Sequence, residues 1–331
     1  MNENLGGNTL KEIKITDIEG FYIGQCENAE AGTGCTAVIC PDNMKAAIDV
    51  RGGGPASRDS QLLSPLAVNK TITAVLLGGG SAFGLDAAGG VMQYLEEKGI
   101  GYDVGITKIP LVAQSDLFDL MVGDSKVRPD KKMGYETAKA ALETQNYRDG
   151  NYGAGCGATV GKIGGMEYCM KSGIGSYAVQ IGDLKVGAIV AVNAIGDIYD
   201  WTTGKKIAGF LNEEKNGFRN TEDFLVGKIN APQNRYTGNT TLGIVITNAD
   251  VEKAALCKIA GMAHDGYARA IKPVHTTVDG DTIYCVSKGN VQANIDVIGT
   301  VAADVMSQAI MHAVKSAEPA YGLKAYRDID F

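Results

Sequence analysis

The period of the apolar positions changes several times along the chain. Over the first hundred residues they form short runs between glycine clusters, predicting strands at Ile13–Tyr22, Thr36–Cys40, Ala46–Val50 and Thr73–Leu77. At Gly84–Lys98 the spacing becomes i, i+3, i+4 through Leu85, Ala88, Val91, Met92 and Leu95, and Gly99 supplies a glycine stop, so a helix is predicted there. A second helix is predicted at Gly134–Thr144, where Tyr135, Ala138, Ala141 and Leu142 share a face. Gly150–Gly165, GNYGAGCGATVGKIGG, is too rich in glycine for a regular element, and strands follow around Gly175–Val179 and Val186–Val192. The polar, aperiodic stretch Asn212–Gly238 has the pattern of a surface segment or linker. Thr240–Ala249, TTLGIVITNA, is then a nearly continuous β-branched run, the mark of a strand buried on both faces. An amphipathic helix at Asp250–Ile271, a strand at Thr282–Val286 and a last helix at Ala293–Ser316 complete the chain. No internal repeat is visible, and the pattern predicts strands and helices in packed layers, an α+β or α/β sandwich in a single domain.

Composition narrows the function classes. Charged residues at 21% and hydrophobic residues at 45% are globular values, while glycine is in excess at 44 of 331 residues, about twice the usual ~7%. A net charge of −7 and the lack of a basic stripe with interleaved aromatics argue against a nucleic-acid partner. The first 30 residues lack the features of a secretory signal and no 18-residue apolar run is apparent, so a cytoplasmic location without a membrane partner is expected. Seven cysteines without a C-x-x-C pair, and only three histidines, argue against a disulfide framework and a cysteine/histidine zinc site; the cysteines are expected mostly as small buried residues.

Four places can carry chemistry. The turn VLLGGGSAFGLDAAGG joins a strand to a helix; Phe83 interrupts a dinucleotide fingerprint, which leaves tight helix-on-sheet packing or a substrate-facing loop through Gly79, Gly80 and Ser81. At Gly238-Asn239-Thr240-Thr241 two hydroxyls stand where a polar segment enters an apolar strand. Two such threonines are ordinary strand residues, yet a threonine hydroxyl can attack the carbonyl before it, and the amino terminus exposed afterwards can serve as that hydroxyl's own base. In HTTVDGDTIYCV, Asp279 and Asp281 fall on one side of an extended chain, open to three readings: a turn, a carboxylate pair that orients a hydroxyl, or a metal site short of ligands. Lys162 in the glycine-rich loop and Asn193 in VNAIGD are a solvated charge and a turn cap, or donors to a developing oxyanion.

Taken in order, LLGGGSAFGLDAAGGV, GCGATVGK, VAVNAIGD, NTTLGIVITNA and VHTTVDGDTIY resemble the L-aminopeptidase/D-esterase family of self-processing hydrolases, which includes β-aminopeptidases and nylon-oligomer hydrolases. The resemblance spans most of the chain. It implies an α+β fold, a four-layer αββα sandwich shared with ornithine acetyltransferase. It also implies a precursor that cuts itself between Asn239 and Thr240 into an α chain, 1–239, and a β chain, 240–331, which stay associated as homo-oligomers, often tetramers of the αβ unit. The implied substrate is a small peptide or peptide-like amide, with no metal and no organic cofactor. By the same resemblance Thr240 is the nucleophile, Lys162 and Asn193 stand near the scissile carbonyl, and Asp279 and Asp281 match the acidic pair of the nylon-oligomer hydrolases. The aminopeptidase branch has serine as nucleophile and Ser-x-Glu at the pair. Phe118 stands where family members carry a tyrosine that assists the oxyanion. Acyl transfer to an amine, or an unprocessed binding protein, are the alternative functions.

Overall fold

The computed structural model describes residues 10–229 and 238–329. Its main sheet runs in the order Leu10–Ile13, Ile174–Ile181, Leu184–Asn193, Thr240–Ala249, Thr282–Val291, Thr33–Val50, Thr71–Gly78, Val112–Asp116, Ala56–Arg58, with Tyr22–Asn28 also paired to Thr33–Val50. Neighbours are antiparallel except at Thr240–Ala249 with Thr282–Val291, and Thr71–Gly78 with Val112–Asp116. Five helices are described: α1 (Ala87–Glu97), α2 (Lys131–Glu143), α3 (Thr221–Gly227), α4 (Lys253–Ala270) and α5 (Ile295–Lys315).

Side-chain alternation shows why this sheet makes two layers. Val186, Ala188, Val190 and Val192 point toward α4 and α5, whereas Ile189 and Ala191 point the other way, into a core shared with Val38, Val75 and Leu77. On the far side Ala37, Ile39, Ala74 and Leu76 pack against Val91, Leu95, Ala138 and Ala141 of α1 and α2. The layers are therefore α4/α5, one half of the sheet, the other half, and α1/α2: the expected four-layer αββα sandwich.

One strand hinges the two halves. The predicted strands Thr36–Cys40 and Ala46–Val50 are a single strand, Thr33–Val50, whose register shifts between Ile39 and Met44, where Pro41 cannot donate and Asn43 takes φ 65°. Its first part pairs with Tyr22–Asn28 and Thr71–Gly78, its last part with Thr282–Val291.

Three expectations need correction. Ile13–Tyr22 is not a strand: Ile15–Asp17 is a 3₁₀ turn, Gly20 takes φ 87°, and Ile15, Ile18 and Phe21 are buried at a spacing of three, not two. The polar segment after Asn212 contains α3, whose first turn is capped by the Asn220 side chain accepting from the N–H groups of Glu222 and Asp223. Finally, α5 is long and apolar enough to cross a membrane by length and composition, with a window of mean hydropathy 1.4, yet 72% of that window is buried within this fold.

Candidate active site

Thr240 opens the central strand, where both faces are buried, and pairs there with Asn193. Its backbone is held at φ 146°, a region that β-branched residues avoid and that costs on the order of 1–3 kcal/mol. The Thr240 Oγ1 accepts the Gly280 N–H at 3.1 Å, while the next residue, Thr241, donates its own N–H to Asp281 Oδ1 at 2.8 Å. Position 280 admits only glycine, since a Cβ there would sit 2.6 Å from the Thr240 hydroxyl. Among the described residues the buried Thr241 hydroxyl has no hydrogen-bond partner, so the two adjacent threonines are not equivalent.

The acidic pair lies against this junction. Asp281 Oδ2 accepts both the backbone N–H of His275, at 3.0 Å, and faces its ring Nδ1 at 2.9 Å. Asp279 Oδ2 accepts the N–H and hydroxyl of Thr276, while its buried Oδ1 has no hydrogen-bond partner among the described residues. Burial, followed by the charge of Asp281, pushes the Asp279 carboxyl up to about 6.

Lys162 and Asn193 meet the same junction from the other side. Gly161 turns at φ 74°, and Lys162 extends its buried side chain so that Nζ donates to Gly238 O at 2.6 Å, to Asn193 Oδ1 at 2.8 Å and to Asn193 O at 3.0 Å. Burial lowers its pKa to about 7, against the opposing influence of Asp279, Asp119 and Asp281 among others. Asn193 is fixed in turn: its Oδ1 also accepts the Thr159 N–H at 3.0 Å, and its Nδ2 donates to Phe118 O at 2.9 Å. The sequence expectation set Lys162 beside the scissile carbonyl; its ammonium grips the carbonyl one residue upstream, that of Gly238. Asn239 itself is buried, with Nδ2 donating to Val278 O at 3.4 Å.

Phe118 takes part through its carbonyl and its ring, which lies against Gly238. The glycine turn stands behind it. The N–H groups of Gly79, Gly80 and Ser81 are committed to Gly34 O, Asp119 Oδ1 and Leu117 O, which accounts for the turn as packing. Asp119, pushed up to about 6 by burial, thus ties the turn to the Phe118 segment.

Thr240, Asn239, Lys162, Asn193, Asp279, Asp281 and Phe118 therefore converge from five separate stretches of chain. Sequence reasoning missed His275, Thr276, Thr159 and the Gly280 N–H. His275, Thr276 and Gly280 lie inside HTTVDGDTIYCV and Thr159 inside GCGATVGK, motifs already singled out, and scarcity was the available signal for His275, one of three histidines. Volume is a poor guide to the site: a groove of about 710 Å³ lined by Lys14, Tyr147, Ser176 and His312 contains none of these residues. Among the described residues no group of three or more His, Cys, Asp or Glu side chains is placed to hold a metal ion.

Comparison with known proteins places the chain in a family. An uncharacterized aminopeptidase of Mycobacterium leprae is 34% identical, over 94% of this chain and 92% of its own length. The 6-aminohexanoate-oligomer endohydrolase of Kocuria sp. is 28% identical, over 93% of this chain and 87% of its own. Among solved structures, a Burkholderia sp. β-aminopeptidase matches with a TM-score of 0.67 at 18% identity, covering 97% of this chain and 92% of that one. The L-aminopeptidase D-Ala-esterase/amidase of Ochrobactrum anthropi, described as a variant of the Ntn hydrolase fold, matches with a TM-score of 0.65 at 15% identity, covering 92% and 86%. The profile of peptidase family S58 matches residues 14–327, nearly the whole chain, and the chain belongs to that family of amide-bond hydrolases.

Proposed function

We propose that the chain is a self-processing amidohydrolase of small peptides or peptide-like amides, with Thr240 as nucleophile. The observation that carries this reading is the convergence on the segment Gly238–Thr241: a strained Thr240, its hydroxyl held by Gly280, the following N–H held by Asp281, and the Gly238 carbonyl, one residue before the bond to be cut, held by Lys162. The Thr240 Oγ attacks the Asn239 carbonyl carbon, the C–N bond breaks, and the nitrogen takes the hydroxyl proton, leaving an ester. Water then hydrolyses the ester to give an Asn239 carboxylate, the free hydroxyl and a free α-amine on Thr240. In the mature enzyme that amine accepts the hydroxyl proton as Oγ attacks a substrate amide, the leaving amine departs protonated, and water releases the acyl group. Asp281 holds the nucleophile's end of the strand through the Thr241 N–H, Asp279 fixes the adjoining turn through Thr276, and Asn193 supplies polar stabilisation of the developing charge.

The fold lets both fragments stay together after scission. Thr240–Ala249 and Thr282–Val291 lie between Leu184–Asn193 and Thr33–Val50, so each fragment completes the sheet of the other. Intact-mass measurement of purified protein tests the reading. Two species divided at Asn239–Thr240, with threonine at the new amino terminus, are expected; one species of full mass after long incubation would overturn it.

A further inference from the structure

In the uncut chain the residues before Thr240 occupy the place of an acyl group. Asn239 carries the carbonyl that Thr240 would attack, and Gly238 carries the next carbonyl along. That second carbonyl receives the shortest of the three hydrogen bonds from the Lys162 ammonium, 2.6 Å, deep in the fold where Lys162 is only 3% exposed. Buried charge-assisted hydrogen bonds are the strong kind, and Lys162 has few other means of satisfaction there: its remaining donors go to Asn193 O and Oδ1. Once residues before Thr240 leave, the ammonium keeps its two bonds to Asn193 and has one donor aimed at the vacated carbonyl position.

The surroundings of Gly238 give that position a shape. A Cβ added at Gly238 would lie 2.6 Å from Met121 Cε and 3.2 Å from the Phe118 ring. An unbranched methylene fits there; a branched carbon forces Met121 or Phe118 to move.

We propose that Lys162 is a recognition group for a second substrate carbonyl, one residue upstream of the bond cut, and that Phe118 and Met121 restrict the carbon beyond it to an unbranched one. The preferred acyl group then contains at least two amide-type carbonyls, as in the interior of a short oligomer, and not a single aminoacyl residue with a free amine. This rests on the proposed use of Thr240 as nucleophile.

Three anilides tested on processed protein separate the possibilities: Asn-anilide, N-acetyl-Asn-anilide and N-thioacetyl-Asn-anilide. The acetyl compound presents the second carbonyl, the free amine lacks it, and the thiocarbonyl keeps shape while accepting hydrogen bonds poorly. N-acetyl-Asn-anilide is expected to exceed Asn-anilide in kcat/KM by about tenfold or more, the scale of a hydrogen bond to a charged group, and the thioacetyl compound to lose most of that gain. Equal or faster turnover of Asn-anilide, or equal turnover of the two acylated compounds, overturns the role of Lys162. Hydrolysis of none of the three by processed protein overturns the nucleophile reading itself, and this inference with it. For the second part, Gly-Asn-anilide is expected to exceed Val-Asn-anilide by about tenfold, with the difference reduced in Met121→Ala. A difference that Met121→Ala leaves intact, or no difference, removes Met121 from the subsite.

Discussion

Lys162 lies in the glycine-rich stretch and Lys171 just after it, both are buried, and burial lowers both to about 7. By depth and electrostatics they are twins. Their partners differ. Lys171 donates to the carbonyls of Gly155, Ala158 and Ser172, all in its own loop, and so ties that loop to itself. Lys162 reaches across to Gly238, next to the junction with Thr240, and to Asn193 of the neighbouring strand. A perturbed pKa on a buried cation therefore does not by itself single out Lys162 from Lys171; the identity of the atoms each holds is what separates a loop clamp from the proposed site residue.

The comparison can be broken most severely at the proposed nucleophile. Thr240→Ala should abolish processing and turnover, by at least about 10³-fold, while the loop around Lys171 and the thermal midpoint stay as in wild type. Residual cleavage at residue 240 in that variant would remove Thr240 from its role. Next, Lys162→Met should slow processing about 10²-fold or more, whereas Lys171→Met should still process and instead lose about 2 kcal/mol in denaturant unfolding, because three loop carbonyls lose their donor. Reversed outcomes would mean that the two lysines have been assigned the wrong way round.

A smaller effect is expected from His275, which faces Asp281 with Nδ1. His275→Ala should lower kcat about 10-fold or more with KM little changed, and His275→Asn, whose side-chain N–H can replace the Nδ1 donor, should recover part of it. An alanine variant with wild-type kcat would show that the bond only fills space.

A pH dependence of stability is expected as well. Asp279 is raised from 3.8 to about 6, so its protonated form is favoured in the folded state; the resulting stability is present below about pH 4 and lost as pH rises through 6. Asp279→Asn removes this dependence, so its stability relative to wild type should increase between pH 4 and 6, by on the order of 2 kcal/mol, and level off above. Lys162, lowered from 10.5 to about 7, acts in the opposite sense, its contribution being present above about pH 10 and lost as pH falls through 7. Lys162→Met should therefore gain stability relative to wild type as pH falls from 10 to 7. A flat difference for either variant would show that these groups titrate in the fold as they do in water.

Much of this protein follows from its sequence alone. The β-branched run Thr240–Ala249, the periodic helices α1, α4 and α5 and the order of motifs along the chain are local properties, because hydrophobic period and glycine placement act over a few residues. The buried polar strand Val112–Asp116 escaped that logic: Gln114 and Ser115 are tolerated inside because Gly84 O and the Tyr284 hydroxyl are there to bond them, and both partners are distant in sequence. The same is true of the site. Residue types named the candidates, but only the folded sheet, bent at Pro41–Asn43, set the Lys162 ammonium on Gly238 rather than on Asn239 and His275 against Asp281. Hydrogen bonds of this kind depend on ångström-scale distances between segments far apart in the chain, and tertiary packing alone fixes those.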